Sequence, residues 1–211
     1  MATRWGVEVH DRTVQQVEFV CPRCGLDRTG CEVQRQRWFS VAGLSLIPLA
    51  TLPNDVVCDS CGQRCDVGVL EVPTTAQLAG YLTDAVRGSM AIVVRSGRTN
   101  AFDFSITTAV AEAAISAMQT DGYDYNETQL HDDVARLDDD TARSSLNRLT
   151  NELTPHGKQG FLHRMAAIAS ANGTVSVRQH RSLIEIGVAL GMPAPHINGV
   201  LAVAALDYES A

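Results

Sequence analysis

Lysine is all but missing from this chain: Lys158 is the single one among 17 basic residues, a usage typical of GC-rich genomes. Positive charge is also outnumbered, 17 basic against 24 acidic residues, and the net charge of −7 argues against a dedicated duplex-DNA binder, whose affinity rests on neutralising phosphates. No apolar run approaches the 18 or so residues of a membrane span; the longest, residues 41–52, is interrupted by Ser45 and Pro48. The start MATRWGVEVH lacks an apolar h-region, which argues against a secretory signal and leads us to expect a cytoplasmic protein. Gly-rich phosphate loops, a nucleophile elbow and a His-Glu-x-x-His pattern are all absent, so no catalytic constellation is expected and an enzyme is not the reading. Cysteine is absent beyond position 65.

What is present is concentrated. All six cysteines lie between positions 21 and 65, and four of them form two knuckles, CPRCG at 21–25 and CDSCG at 58–62. Two Cys-x-x-Cys pairs, each ending in glycine, can wrap four thiolates around one tetrahedral cation, so Cys21, Cys24, Cys58 and Cys61 are the expected ligands of one structural Zn2+. Such a closed all-sulfur site suits zinc and needs no redox activity. Iron is the competitor, because CPRCG also resembles the knuckle of rubredoxins; against it, CDSCG lacks the proline usual in that family. Cys31 and Cys65 are left over and read best as small buried residues, with ligand replacement or an oxidisable thiol as alternatives.

The 211 residues, 45% of them apolar, suffice for one large domain or two small ones. Charge divides them: residues 1–66 hold 7 basic and 8 acidic side chains, residues 102–211 hold 7 and 14. WGVEV (5–9) and VQQVEFV (14–20) alternate apolar and polar and predict two short strands around a turn at His10, Asp11 and Arg12. A hairpin broken at Gly43 is expected over 32–49, then a turn at Asn54 and Asp55, the second knuckle, and a strand near 67–72. This is a zinc-ribbon arrangement at 1–72, too small to stand without its metal. From Pro73 the period becomes helical through Met90 and is then lost in AIVVRSGRTN, so 73–101 reads as a connector helix and hinge. Residues 102–211 predict helices at 107–120, 127–137, 141–153, 158–171, 177–190 and 195–206. Asn126 with Gln129 and Ser176 with Gln179 form capping pairs, and Gly122, Gly173 and Gly191 are stop signals. The stretches 114–137 and 166–190 repeat one pattern, with the two turn glycines 51 positions apart.

Two further groups are candidates. Asp121, Asp124 and Glu127 cluster at a turn and could form a second cation site, although carboxylates before a helix also simply meet its positive end. The acidic knot at Asp138, Asp139 and Asp140 has the same two readings. Arg35, Arg37, Trp38 and Phe39, in RQRWF, could contact a partner or stack and neutralise single-stranded nucleic acid, with Arg35, Arg37 and Phe39 on one strand face and Trp38 on the other. The histidines at 131, 156, 163, 180 and 196 show no ligand spacing.

FVCPRCGLDRTG, RQRWFSVAGLSLIPLA and VVCDSCG together resemble the zinc-ribbon segment that opens many bacterial proteins. FLHRMAAIASANGTVSVRQHRSLIEIGVALGM (161–192), and more loosely 102–211, resembles the TerB-like (tellurite-resistance) domain. That resemblance implies an all-helical, pseudo-symmetric fold associated with divalent metals and with stress or membrane-linked defence. Its Asp-Gly and following Glu are replaced here by Asn172 and Gln179, which keep shape but not charge; Asp121 keeps the acid, while Thr128 stands at the Glu position beside Glu127. The expectation is therefore α+β: a small β zinc ribbon followed by an all-α TerB-like bundle. Its expected role is a non-enzymatic, zinc-binding interaction or assembly protein of the bacterial stress response with a protein partner. A nucleic-acid-binding adaptor and a rubredoxin-like electron carrier are the alternatives.

Overall fold

The computed structural model describes residues 5–41, 44–97, 106–173 and 175–209. Strands β1 (Trp5–Cys21), β2 (Leu26–Val41), β3 (Leu44–Cys58) and β4 (Arg64–Asp66) form one antiparallel sheet in the order β1-β2-β3-β4. A 3-10 turn, Val67–Glu71, follows. Among the described residues seven helices follow: α1 (Thr75–Ser96), α2 (Thr108–Thr120), α3 (Glu127–Arg136), α4 (Asp139–Leu149), α5 (Pro155–Ser170), α6 (Val177–Ala189) and α7 (Ala194–Glu209). Chain contacts divide the molecule into two units, residues 1–78 and 79–211.

The class is α+β, but the small ribbon is a correction. Three strands of 17, 16 and 15 residues make a long sheet, where typical strands run about 5–6 residues. His10, Asp11 and Arg12 do not turn the chain. They stay in register opposite Gln36, Arg35 and Gln34, and the irregularity is a bulge that leaves Val14 without a partner. A polar triplet can continue a strand when both faces are open to solvent, because the pleat then needs no apolar alternation. Asn54 and Asp55 likewise lie inside β3, and residues 67–71 are a 3-10 turn instead of a strand. Gly43, the expected break in the hairpin, is outside the described residues, as are residues 98–101 at the end of the expected hinge; residues 91–96 of that stretch are helical instead.

Cross-strand partners share a face, so register sorts the sheet. At the metal end one face packs Phe19, Cys21, Val56 and Cys58 together, with Val17, Cys65, Val67, Val69 and Leu70 against them. The Phe19 ring lies across Gly30, where a Cβ would come within 2.8 Å of the ring and 2.5 Å of the Val57 carbonyl oxygen. Further out the same face becomes polar, with His10, Arg12, Gln34, Gln36, Trp38 and Ser45 lining one shallow cleft. The opposite face carries apolar rows. Trp5 pairs with Val41 and Val41 with Leu44; Val7 pairs with Phe39 and Phe39 with Ile47; then Val9, Arg37 and Ala50. Trp5 is 74% exposed, and Val7, Val9, Leu44 and Ile47 are exposed too.

The helical unit has the large core. Met90, Ala114, Met118, Leu130, Leu146, Leu162, Met165, Ile168, Leu183 and Leu190 are all buried in it. Residues 89–94, the AIVV stretch included, continue α1 and are buried on every side, and a helix buried all round shows no period to read. The helix starts follow their caps: the Asn126/Gln129 and Ser176/Gln179 pairs both close reciprocally. Asp138 caps α4 by accepting from the Thr141 amide, so α4 begins at Asp139, before the expected Thr141. Gly122, Gly173 and Gly191 have φ of 84°, 104° and 68°, the left-handed region that ends helices on glycine.

Candidate metal centre

Each knuckle is a single tight turn. The Gly25 amide donates to the Cys21 carbonyl at 2.8 Å, the Gly62 amide to the Cys58 carbonyl at 2.9 Å, and both glycines have φ of 67°. A side chain at either position would be strained in that conformation, which is why a glycine trails each pair. The first knuckle joins β1 to β2 and the second follows β3. Cys58 sits opposite Gly30 in the sheet, and the Asp59 amide donates to the Thr29 carbonyl at 3.1 Å, so the ladder brings together knuckles that are 33 residues apart in sequence.

The four sulfurs of Cys21, Cys24, Cys58 and Cys61 all lie within 4.8 Å of one another, and the group could hold a metal ion. The Cys21 and Cys61 Sγ atoms are 3.7 Å apart, too far for a disulfide, and all six cysteines are free. A tetrahedron with metal–sulfur bonds of about 2.3 Å has edges of about 3.8 Å, so this edge has the length a four-thiolate site requires. Cys21 and Cys58 are buried and Cys24 and Cys61 partly exposed, so the site opens only at the knuckle tips.

Four thiols in this space cannot all ionise without a cation between them. The Cys24 backbone N–H, helped by the Arg23 amide and the neighbouring thiols against the cost of burial, lowers the Cys21 pKa to about 7. At Cys61 the Gln63 amide favours the thiolate, but burial and the neighbouring Cys24, Cys21 and Cys58 sulfurs outweigh it and push the pKa up to about 12. A metal must displace the Cys61 proton to bind. Apparent affinity should therefore rise by at least about tenfold per pH unit between pH 7 and 9 and fall below pH 7 as Cys21 also protonates. Chelator competition across that range checks this; a flat profile would mean that the thiols are not the ligands.

Cys65 lies outside this group. It packs behind it in the sheet core, where burial followed by the nearby Cys21 and Cys58 raises its pKa. Cys31, on β2, points its thiol toward Asp59 at 3.9 Å.

The other sequence candidates are dispersed. Among the described residues the cysteines are the one set of three or more potential ligands close enough to share an ion; Asp121, Asp124 and Glu127 form no such set. Asp121 caps the end of α2 and is ion-paired with Arg164, while Glu127 opens α3 with His131 3.9 Å away. Gln179 is buried. Its oxygen accepts from the Ser176 amide as part of the cap, and its NH2 donates to the Ala169 carbonyl at 3.3 Å, so both ends of the amide are engaged. In RQRWF, Arg35 is held by Asp55 at 3.1 Å and Asp11 at 4.0 Å. Arg37 is exposed, and Trp38 sits on the opposite face, edge-on to His10 at 6.2 Å.

Sequence reasoning missed an ion network in the helical unit. Arg87 grips buried Asp133 with two bonds, of 2.7 and 2.6 Å, and the Tyr125 hydroxyl donates to the same carboxylate at 2.7 Å. Nothing local to these residues announces the group, since Arg87 and Asp133 are 46 positions apart.

The chain matches no protein-family model, no curated protein and no solved structure. No helix among the described residues is long and apolar enough to cross a membrane.

Proposed function

We propose that this is a non-enzymatic, zinc-stapled assembly protein whose long sheet docks on the same sheet of a second copy. The observation that carries the reading is the apolar outer face. Its first two cross-strand rows, Trp5 with Val41 and Leu44, and Val7 with Phe39 and Ile47, contain no formal charge. Two chains of net charge −7 can therefore meet there without apposing like charges. Farther along, the carboxylates of Asp11 and Asp55 pair with Arg35 and Arg64 and supply a polar rim. Exposed Trp5, Val7, Leu44 and Ile47 stand side by side across the sheet; an exposed apolar patch with a polar rim marks an interaction surface, and sheets pack face to face by interdigitating such rows about 10 Å apart.

Zinc is the proposed metal because four thiolates close the coordination sphere and leave no position for a substrate. The metal would hold the sheet's base and so set the docking face. The resemblance of the helical unit to the TerB-like domain supports a setting in the bacterial stress response.

Elemental analysis should return about one zinc per chain, and light scattering after gel filtration should return a dimer. Val7→Asp with Ile47→Asp should give a monomer that keeps its zinc. A wild-type chain that stays monomeric at about 100 μM overturns the assembly reading. Red colour that bleaches on reduction would replace zinc by iron and favour an electron carrier.

A further inference from the structure

Beside the C-terminal turn of α1, Arg95, Arg178 and Arg181, two hydroxyls, Ser96 and Ser182, and one carboxylate, Asp139, line a cleft of about 200 Å3. Arg95 is already used. Its guanidinium donates to the Val134 carbonyl at 3.3 Å, to Asp139 at 2.7 Å and to the Leu137 carbonyl, so it is held in place and the Asp139 charge is answered by it. Arg178 and Arg181 make no hydrogen bond or ion pair with any described residue. Among the described residues these two positive charges have no paired carboxylate, in a chain whose net charge is −7.

The position of these two arginines is unfavourable for α6 on its own. They stand three residues apart on one face of the helix and near its N-terminal, positive end, and each feature alone destabilises a helix. An anion between them would remove both penalties. Ligand pockets for larger molecules run to about 300–1,000 Å3, so this cleft suits one small charged group. Guanidinium forks match a tetrahedral oxyanion two bonds at a time, and the Ser182 hydroxyl can add another donor.

We propose that this cleft binds a phosphate-type oxyanion, either free or as the terminal group of a small phosphomonoester, through Arg178 and Arg181, with Asp139 already neutralised by Arg95. The site is independent of the metal and of the sheet.

Calorimetric titration of the full chain at constant ionic strength, with inorganic phosphate in one arm and glycerol 3-phosphate in the other, tests it. One saturable site is expected, weakened by about tenfold or more in Arg178→Ala/Arg181→Ala and unchanged in Lys158→Ala. Both arginines are exposed and alanine favours helix, so the double variant should keep its far-ultraviolet spectrum. Tighter binding of the ester would identify a phosphorylated metabolite as the ligand, and tighter binding of phosphate the free ion. No saturable heat up to about 10 mM in either arm, or equal affinity in the double variant, overturns the proposal.

Discussion

Cys58→Ser, or a strong chelator at neutral pH, is expected to unfold the sheet while leaving the helices intact. The metal end of the sheet buries Phe19, Val56, Cys21 and Cys58 and little else completely. That is a small core for three long strands whose outer faces are open to solvent. Structural zinc contributes about 10–16 kcal/mol of apparent binding free energy in peptides that fold around it, more than the whole stability of many domains. Losing one of four ligands should forfeit much of this and drop the metal content below about half an equivalent.

The chain provides its own reporters. Both of its tryptophans, Trp5 and Trp38, are in the sheet, so their emission follows that unit alone. The helical signal near 222 nm is dominated by the second unit. Trp5 is already exposed, so the expected result is a red shift carried by half-buried Trp38, with the 222 nm signal nearly unchanged. Retained metal and an unshifted spectrum in Cys58→Ser would show that these thiols do not staple the sheet.

The second large effect is expected from Asp133→Ala, which should destabilise the helical unit by about 2–3 kcal/mol. The carboxylate is only 4% exposed and is the common partner of Arg87 and Tyr125. Its hydrogen bond and charge raise the Arg87 pKa, and burial together with the same carboxylate drives the Tyr125 pKa well above its ordinary value. Removing Asp133 leaves the buried Tyr125 hydroxyl without its acceptor, while the Arg87 guanidinium, whose side chain is 36% exposed, loses its partner but stays partly hydrated. Thermal unfolding followed at 222 nm should lose roughly 5–15 °C, while the tryptophan transition stays in place. Tyr125→Phe, which removes one bond and leaves the ion pair, should cost only about 1–2 kcal/mol. A loss below about 1 kcal/mol in Asp133→Ala would mean that water replaces the carboxylate freely.

These two sites differ in how far they can be read from the chain. The cysteine centre is legible because its chemistry is written in short spacings: two residues between the thiols of each pair and a glycine forced by a positive φ. The helix starts are legible for the same reason, since a cap and its partner lie three residues apart. The long strands are not. His10, Asp11 and Arg12 suggest a turn by composition, and only pairing with β2 shows them extended. The end of α1 misleads in the opposite way, because burial on all sides erases the helical period that an exposed face would create.

By itself, then, the sequence determined the α+β order, the four metal-ligand candidates and the helix caps, all set by interactions between residues a few positions apart. Tertiary structure decided the sheet's length and its one apolar face, the Arg87–Asp133–Tyr125 network and the arginine cleft beside α1. Each of these joins groups tens of residues apart, whose meeting depends on register and packing and leaves no local trace.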